Sequence, residues 1–110
     1  MACYYLGRCY YEFREYKNAR GKLVEALDLG LGDAWQGAAH YVLGIVEYHL
    51  SDMEASKREF ELCVKTADPA YLSKTKIWEW LETTSRALGQ YDEAEKYQKI
   101  KNSSGPSKPN

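Results

Sequence analysis

The chain repeats itself at an interval of 37 or 38 residues, and this period limits its possible folds more than any other feature. Leu6-Gly7 recurs as Leu43-Gly44, and the next step along the chain leads to Leu81. Small residues coincide at the same two shifts, at Ala19, Ser56 and Ala94. A period between about 20 and 50 residues is typical of arrays in which each repeat packs only on its neighbours. The sequence therefore predicts a stack of similar units.

Each unit is predicted to contain two helices, because apolar residues recur at helical spacing and no segment of useful length alternates as a strand does. The expected helices cover about 1–14, 16–29, 33–50, 51–67, 70–88 and 91–101. They make up repeats at about 1–31, 33–68 and 69–101. The fold class that follows is all-α: one domain over residues 1–101, with three antiparallel helix pairs stacked as a right-handed superhelical solenoid.

Local signals divide these helices from one another. Gly30 and Gly32 end the second helix, and Ser51 followed three residues later by Glu54 is a capping-box pattern that begins the fourth. Asp68-Pro69 combines an N-cap with a proline at the first helical position. The tail, residues 102–110, has no large apolar residue and is expected to be disordered.

The repeated residues resemble the tetratricopeptide repeat, whose first helix carries Trp-x-x-Leu-Gly-x-x-Tyr and whose second carries alanines seven apart. The match spans about residues 3–100. It consists of Cys3-x-x-Leu6-Gly7-x-x-Tyr10, Ala19 and Ala26 in unit one, His40-x-x-Leu43-Gly44, Ser56 and Cys63 in unit two, and Trp78-x-x-Leu81, Gly89, Tyr91 and Ala94 in unit three. Glu82 replaces the expected glycine, so the third pair is expected to be less closely packed.

This resemblance implies a concave groove lined by the first helix of each pair. The groove positions of the family fall here on Tyr4, Arg8, Tyr11, Tyr41, Ile45, Tyr48, Glu79 and Thr83. The groove is thus expected to be aromatic in two units and polar in the third. Tyrosine offers a large contact area and a hydroxyl group, which suits recognition of a protein or peptide. The competing interpretation is that several of these tyrosines only fill space between units.

Charge and hydropathy exclude several classes of partner. Lys plus Arg number 15 and Asp plus Glu number 16, which gives a net charge of −1. A nucleic-acid-binding domain usually carries a basic excess, so no nucleic acid is expected as a partner. No apolar run approaches the roughly 20 residues that span a bilayer, so no membrane insertion is expected.

Catalytic and metal-binding chemistry is not indicated. Cys3, Cys9 and Cys63 form no metal-binding or disulfide pattern, and reduced thiols in a cytoplasmic location are the expectation. His40 and His49 are nine residues apart, too far for a pair on adjacent turns. We therefore expect no enzyme activity, no metal and no cofactor.

Two functions remain after these exclusions. The first is a protein-interaction module that binds a peptide or a partner helix in the groove. The alternative is a structural module that forms homo-oligomers through the open ends of the array, because uncapped repeat arrays expose apolar surface there. Trp80, Tyr97 and Ile100 are the candidates for such contacts at the carboxyl-terminal end.

Overall fold

The computed structural model describes residues 2–65 and 74–103, and all regular structure in these ranges is helical. The six helices are α1 (Ala2–Glu12), α2 (Tyr16–Leu29), α3 (Asp33–His49), α4 (Met53–Lys65), α5 (Lys74–Ala87) and α6 (Tyr91–Ser103). They pack as pairs α1–α2, α3–α4 and α5–α6, and α2 and α4 each also contact the first helix of the next pair. The all-α fold of stacked helix pairs predicted from the period is confirmed.

Glycine sets the closest approach within the first two pairs. A Cβ atom placed on Gly7 would lie 2.8 Å from Leu23, and one placed on Gly44 would lie 2.8 Å from Phe60. Both distances are shorter than real side chains tolerate. The repeated Leu-Gly therefore has a packing function, because the large residue of the second helix occupies the space left by the glycine.

The second pair is also joined by two buried hydrogen bonds. The Ser56 hydroxyl donates to the carbonyl oxygen of Gly44 at 2.7 Å, and the Cys63 thiol donates to that of Gly37 at 3.3 Å. Ser56 and Cys63 occupy positions where the first repeat has alanines. Small polar side chains are tolerated there because each finds a partner.

The third pair replaces the glycine contact with an ionic one. Glu82 accepts hydrogen bonds from Arg86 on its own helix at 2.9 Å and from Lys101 on α6 at 3.3 Å. Partial burial alone would raise the pKa of Glu82, but these two cations outweigh it and lower the pKa. The carboxylate therefore links α5 to α6 at the position where the other pairs are closely packed.

A buried lysine connects the second pair to the third. Lys57 on α4 is 9% exposed, and its ammonium group donates to Glu93 at 2.6 Å and to Gln90. Gln90 directly precedes α6 and Glu93 lies in its first turn. This contact fixes α6 to the preceding repeat as well as to its own partner helix.

Several helix boundaries differ from those expected. α1 ends at Glu12, and Arg14 follows with a φ of 63° in the turn. The fourth helix is capped by Asp52, whose carboxylate accepts the backbone N–H of Ala55 at 3.1 Å, so the assignment of Ser51 as the cap was wrong. α6 continues to Ser103, two residues into the expected tail. The expected cap at 68–69, the helix start near 70 and the rest of the tail lie outside the described residues.

Candidate functional site

Two adjacent cavities lie between the first helices of the three pairs, and together we call them the first-helix groove. The cavity between α1 and α3 has a volume of about 400 Å³ and is lined by Tyr4, Arg8, Tyr11, Ala38, Tyr41, Val42 and Ile45. The cavity between α3 and α5 has a volume of about 330 Å³ and is lined by Tyr48, Lys76, Glu79, Trp80 and Thr83. These volumes lie at the lower end of the range of ligand-binding pockets, and each cavity can hold a bulky side chain of a bound peptide.

All eight residues singled out in the sequence line one of these two cavities. Five line the first cavity: Tyr4, Arg8, Tyr11, Tyr41 and Ile45. Three line the second: Tyr48, Glu79 and Thr83. The spacing of four and then three residues along each first helix brings such side chains to one side, as helical geometry requires. Their involvement in binding stays a prediction.

The tyrosines of the groove differ in exposure. Tyr4 is only 2% exposed and packs edge-on against Trp35, with 5.4 Å between the ring centroids. It belongs to the hydrophobic core and also lines the first cavity, so it has little surface accessible to a ligand. Tyr11, Tyr41 and Tyr48 are half-buried, each with part of its surface accessible. These three are the groove tyrosines that a ligand can contact.

Burial also affects the chemistry of two of these phenols. Loss of water around the rings raises the pKa of Tyr11 and of Tyr41 above the ordinary value of 10. Both hydroxyl groups are protonated at neutral pH, as any phenol is, and the shift extends this to more alkaline solution, so each can donate a hydrogen bond to a ligand. They provide polar contacts within an otherwise apolar wall.

A cation lies at the edge of the first cavity. The side chain of Arg8 is 47% exposed, and its guanidinium lies 3.8 Å from the carboxylate of Glu12, one turn further along α1. A pair this long and this exposed to water is weak. Arg8 can therefore exchange this partner for an acidic group on a ligand.

Sequence reasoning missed four residues that line the groove, among them Trp80. Its ring stacks on Phe60 with 5.4 Å between centroids, and it meets Tyr48 edge-on at 5.2 Å. Trp80 thereby forms the floor between α3 and α5. The sequence signal for its place in the groove was that Trp80 directly follows Glu79, a predicted groove residue. The other three are Ala38, Val42 and Lys76.

Two reactive side chains outside the groove, His40 and Cys63, have a structural partner or inert surroundings. His40 lies 2.7 Å from the carboxylate of Glu59, and both side chains are mostly buried between α3 and α4. Burial raises the pKa of the Cys63 thiol to about 11, which keeps it protonated. Within residues 2–65 and 74–103, no group of three potential metal ligands occurs. No described helix is long and apolar enough to cross a bilayer.

Comparisons with known proteins identify the fold. No protein-family model matches this chain, and no curated protein matches it in sequence. A solved structure of a mutant of MamA, a tetratricopeptide-repeat protein, superposes with a TM-score of 0.76. The two are 17% identical, and the alignment covers 96% of this chain and 72% of that one. At this identity the similarity establishes a tetratricopeptide-like helical fold and leaves the function to be argued from the groove.

Proposed function

We propose that this chain is a protein-interaction module that binds a peptide or a partner helix in the first-helix groove. One observation carries the proposal: two cavities lie side by side across all three first helices, and each has at least one partly exposed tyrosine in its wall. Aromatic residues in concave surfaces supply much of the energy of many protein interfaces. A ligand that crosses the stack would contact each repeat in turn.

The lining of the first cavity suggests which ligand fits it. Ala38, Val42 and Ile45 offer apolar walls, and the hydroxyl groups of Tyr11 and Tyr41 lie among them. Arg8 lies at the edge with a cation that is half exposed. We therefore infer that the preferred ligand places an apolar side chain in this cavity and an acidic group close to Arg8.

The second cavity has mixed charge. Lys76 and Glu79 both line it, together with the Trp80 ring, which meets Tyr48 edge-on. A polar or zwitterionic stretch of ligand fits this lining better than a second apolar anchor. The proposed ligand is thus apolar and acidic at the α1 end of the groove and polar at the α5 end.

The proposal can be tested with peptides selected from a display library against the 110-residue chain. Dissociation constants would be measured by fluorescence polarisation for wild type and for Arg8→Glu and Tyr48→Ala. We expect each change to weaken binding by about tenfold or more, since interface charges and aromatics often contribute 1.4 kcal/mol or more, at roughly tenfold per 1.4 kcal/mol.

A matched control lies on the second helix of the first pair. Lys17→Glu on α2 repeats the charge reversal at an exposed position outside both cavities. Thermal melts of every variant would establish that the array remains folded. If Lys17→Glu weakened binding while Arg8→Glu and Tyr48→Ala bound as tightly as wild type, the ligand would contact the other face and the groove would not be the binding site.

A further inference from the structure

A strip of uncharged residues along α1 and the first residue of the turn after it is exposed, and we call it the α1 strip. It consists of Ala2, Tyr5, Leu6, Cys9 and Phe13. Their spacing brings them to one side of the helix, nearly opposite the groove residues of α1. The exposed fractions of Tyr5, Leu6 and Phe13 are 51%, 42% and 77%. So much exposed apolar surface on one short helix indicates a contact surface.

The repeat shows that these positions are normally buried. A shift of 37 residues carries the strip onto Ala39, Val42, Leu43, Val46 and Leu50 in α3. A further shift of 38 carries it onto Ile77, Trp80, Leu81, Thr84 and Leu88 near α5. Three members of each later set are 2% exposed or less: Ala39, Leu43 and Val46 in α3, and Ile77, Leu81 and Thr84 in α5. The second helix of the preceding pair packs on α3 and on α5, whereas no described helix precedes α1.

The opposite end of the array has a different surface. The residues of α2 at Tyr16, Arg20, Leu23 and Leu27 correspond to Tyr91, Glu95, Gln98 and Asn102 on α6, all of which are exposed. Tyr16 stacks on His49 of α3 at 4.6 Å, and Arg20 lies 3.4 Å from Glu47, so these α2 positions face the next repeat. On α6 the same face is mostly polar, as in a terminal capping repeat.

The aromatic residues that were expected to make contacts at the carboxyl-terminal end pack instead against other residues of the same chain. Trp80 stacks on Phe60, and Tyr97 stacks on Trp78 at 5.9 Å. A head-to-tail stack of copies would press Glu95, Gln98 and Asn102 of one copy against the α1 strip of the next. Apolar surroundings would leave those polar groups without partners, at a substantial cost in free energy. Head-to-tail assembly through α6 is therefore disfavoured.

We propose that the α1 strip is the contact surface between two copies of this chain, with α1 packed antiparallel on the partner's α1 about a two-fold axis. The strip contains no charged residue, so packing one copy of it on another brings no like charges together. An axis between positions 7 and 8 brings Ala2 opposite the partner's Phe13 and Leu6 opposite the partner's Cys9. Small residues then face large ones, and a two-fold contact of this kind closes after two copies.

Measurement of the solution mass tests this proposal on the 110-residue chain under reducing conditions. The mass from light scattering is expected to rise with concentration from 12.7 kDa for one chain to twice that value and no further. Leu6→Glu and Phe13→Glu are each expected to weaken the dimer at least tenfold. Phe13 is the more exposed of the two, so its replacement leaves the core intact and decides the question if Leu6→Glu does not fold.

Tyr91→Glu is the matched control, because it places the same charge on an exposed aromatic position at the other end of the array. The reaction rate of Cys9 with a maleimide, measured in a Cys3→Ser background, adds a local readout and is expected to fall as the dimer forms. A chain that remains at 12.7 kDa at millimolar concentration would overturn the proposal. So would a mass that grows beyond two chains, or a dimer that only Tyr91→Glu disrupts.

Discussion

Gly44 illustrates how one absent atom determines the distance between two helices. The Phe60 ring occupies the space where a Cβ would lie, with three ring atoms between 2.8 and 2.9 Å from that position. Phe60 is fully buried and is also stacked on Trp80, so it has little freedom to move away. Gly21, in contrast, lies on the exposed side of α2 with no atom within 4 Å of its would-be Cβ.

These two glycines give opposite expectations for the same substitution. Gly44→Ala is expected to destabilise the fold by about 1–3 kcal/mol, the usual cost of inserting an extra group into a packed core. Gly21→Ala is expected to stabilise it by roughly 0.5–1 kcal/mol, because alanine favours the helix and meets nothing. Urea denaturation of both variants measures the difference, and a stabilising Gly44→Ala would contradict the close-packing account.

At the level of residues, the sequence predicted which side chains line the groove but not how deeply each is buried. Helical spacing and the family resemblance brought Tyr4 and Tyr41 to the same side. The exposure of Tyr4 depends on Trp35, which lies 31 positions further along the chain and covers it. Such a contact between neighbouring repeats has no local signature, so it could not be predicted from the period.

At the level of helices, α6 is attached to the array through its partner helix and through α4. Tyr97 stacks on Trp78 of α5 and donates a hydrogen bond to Glu61 of α4 at 3.4 Å. Burial, followed by the nearby charge of Glu61, raises the pKa of Tyr97 to about 12 from the ordinary value of 10. The folded protein therefore favours the protonated phenol.

This raised pKa predicts how the stability varies in alkaline solution. The contribution of Tyr97 to the free energy of unfolding is fully present below pH 10 and is lost as the pH rises through about 12. The reason is that the phenol of the unfolded chain releases its proton more readily than that of the folded chain. Tyr97→Phe is expected to be less stable than wild type at neutral pH, by on the order of 1 kcal/mol, and to lose this disadvantage as the pH rises.

Thermal melts of wild type, Tyr97→Phe and Tyr91→Phe at several pH values would measure this effect. Tyr91 is largely exposed and begins the same helix, so its replacement controls for the loss of one hydroxyl group from α6. A difference between wild type and Tyr97→Phe that stays constant up to pH 12 would show that the Tyr97 environment does not favour the protonated phenol.

Helix boundaries were predictable where a single local interaction determines them and less so where two signals compete. The start of α2 and the start of α6 at Tyr91 agree with the expected bounds, since a turn precedes each. The pattern Ser51-x-x-Glu54 suggested one cap, but Ser51 adopts a φ of 67° and Asp52 performs that function one residue later. Either side chain can cap a helix, and the backbone conformation decides between them.

At the level of the whole molecule, the repeat predicts the stacking but not the difference between its two ends. Successive second helices carry Leu23, Phe60 and Gln98 at equivalent positions, so the apolar character of this position disappears in the last repeat. The first repeat has no corresponding change, and α1 keeps the apolar residues that α3 and α5 bury. The asymmetry becomes clear only when exposure is compared across equivalent positions.

The central claim is that the first-helix groove binds the partner, and a chemical-shift map tests it most directly. A library-selected peptide would be titrated into the isotopically labelled chain, and the shift of each backbone amide would be recorded. We predict that the largest shifts cluster on α1, α3 and α5, around Arg8, Tyr41 and Thr83. A cluster of large shifts on α2, α4 and α6, with the groove residues unaffected, would contradict the account.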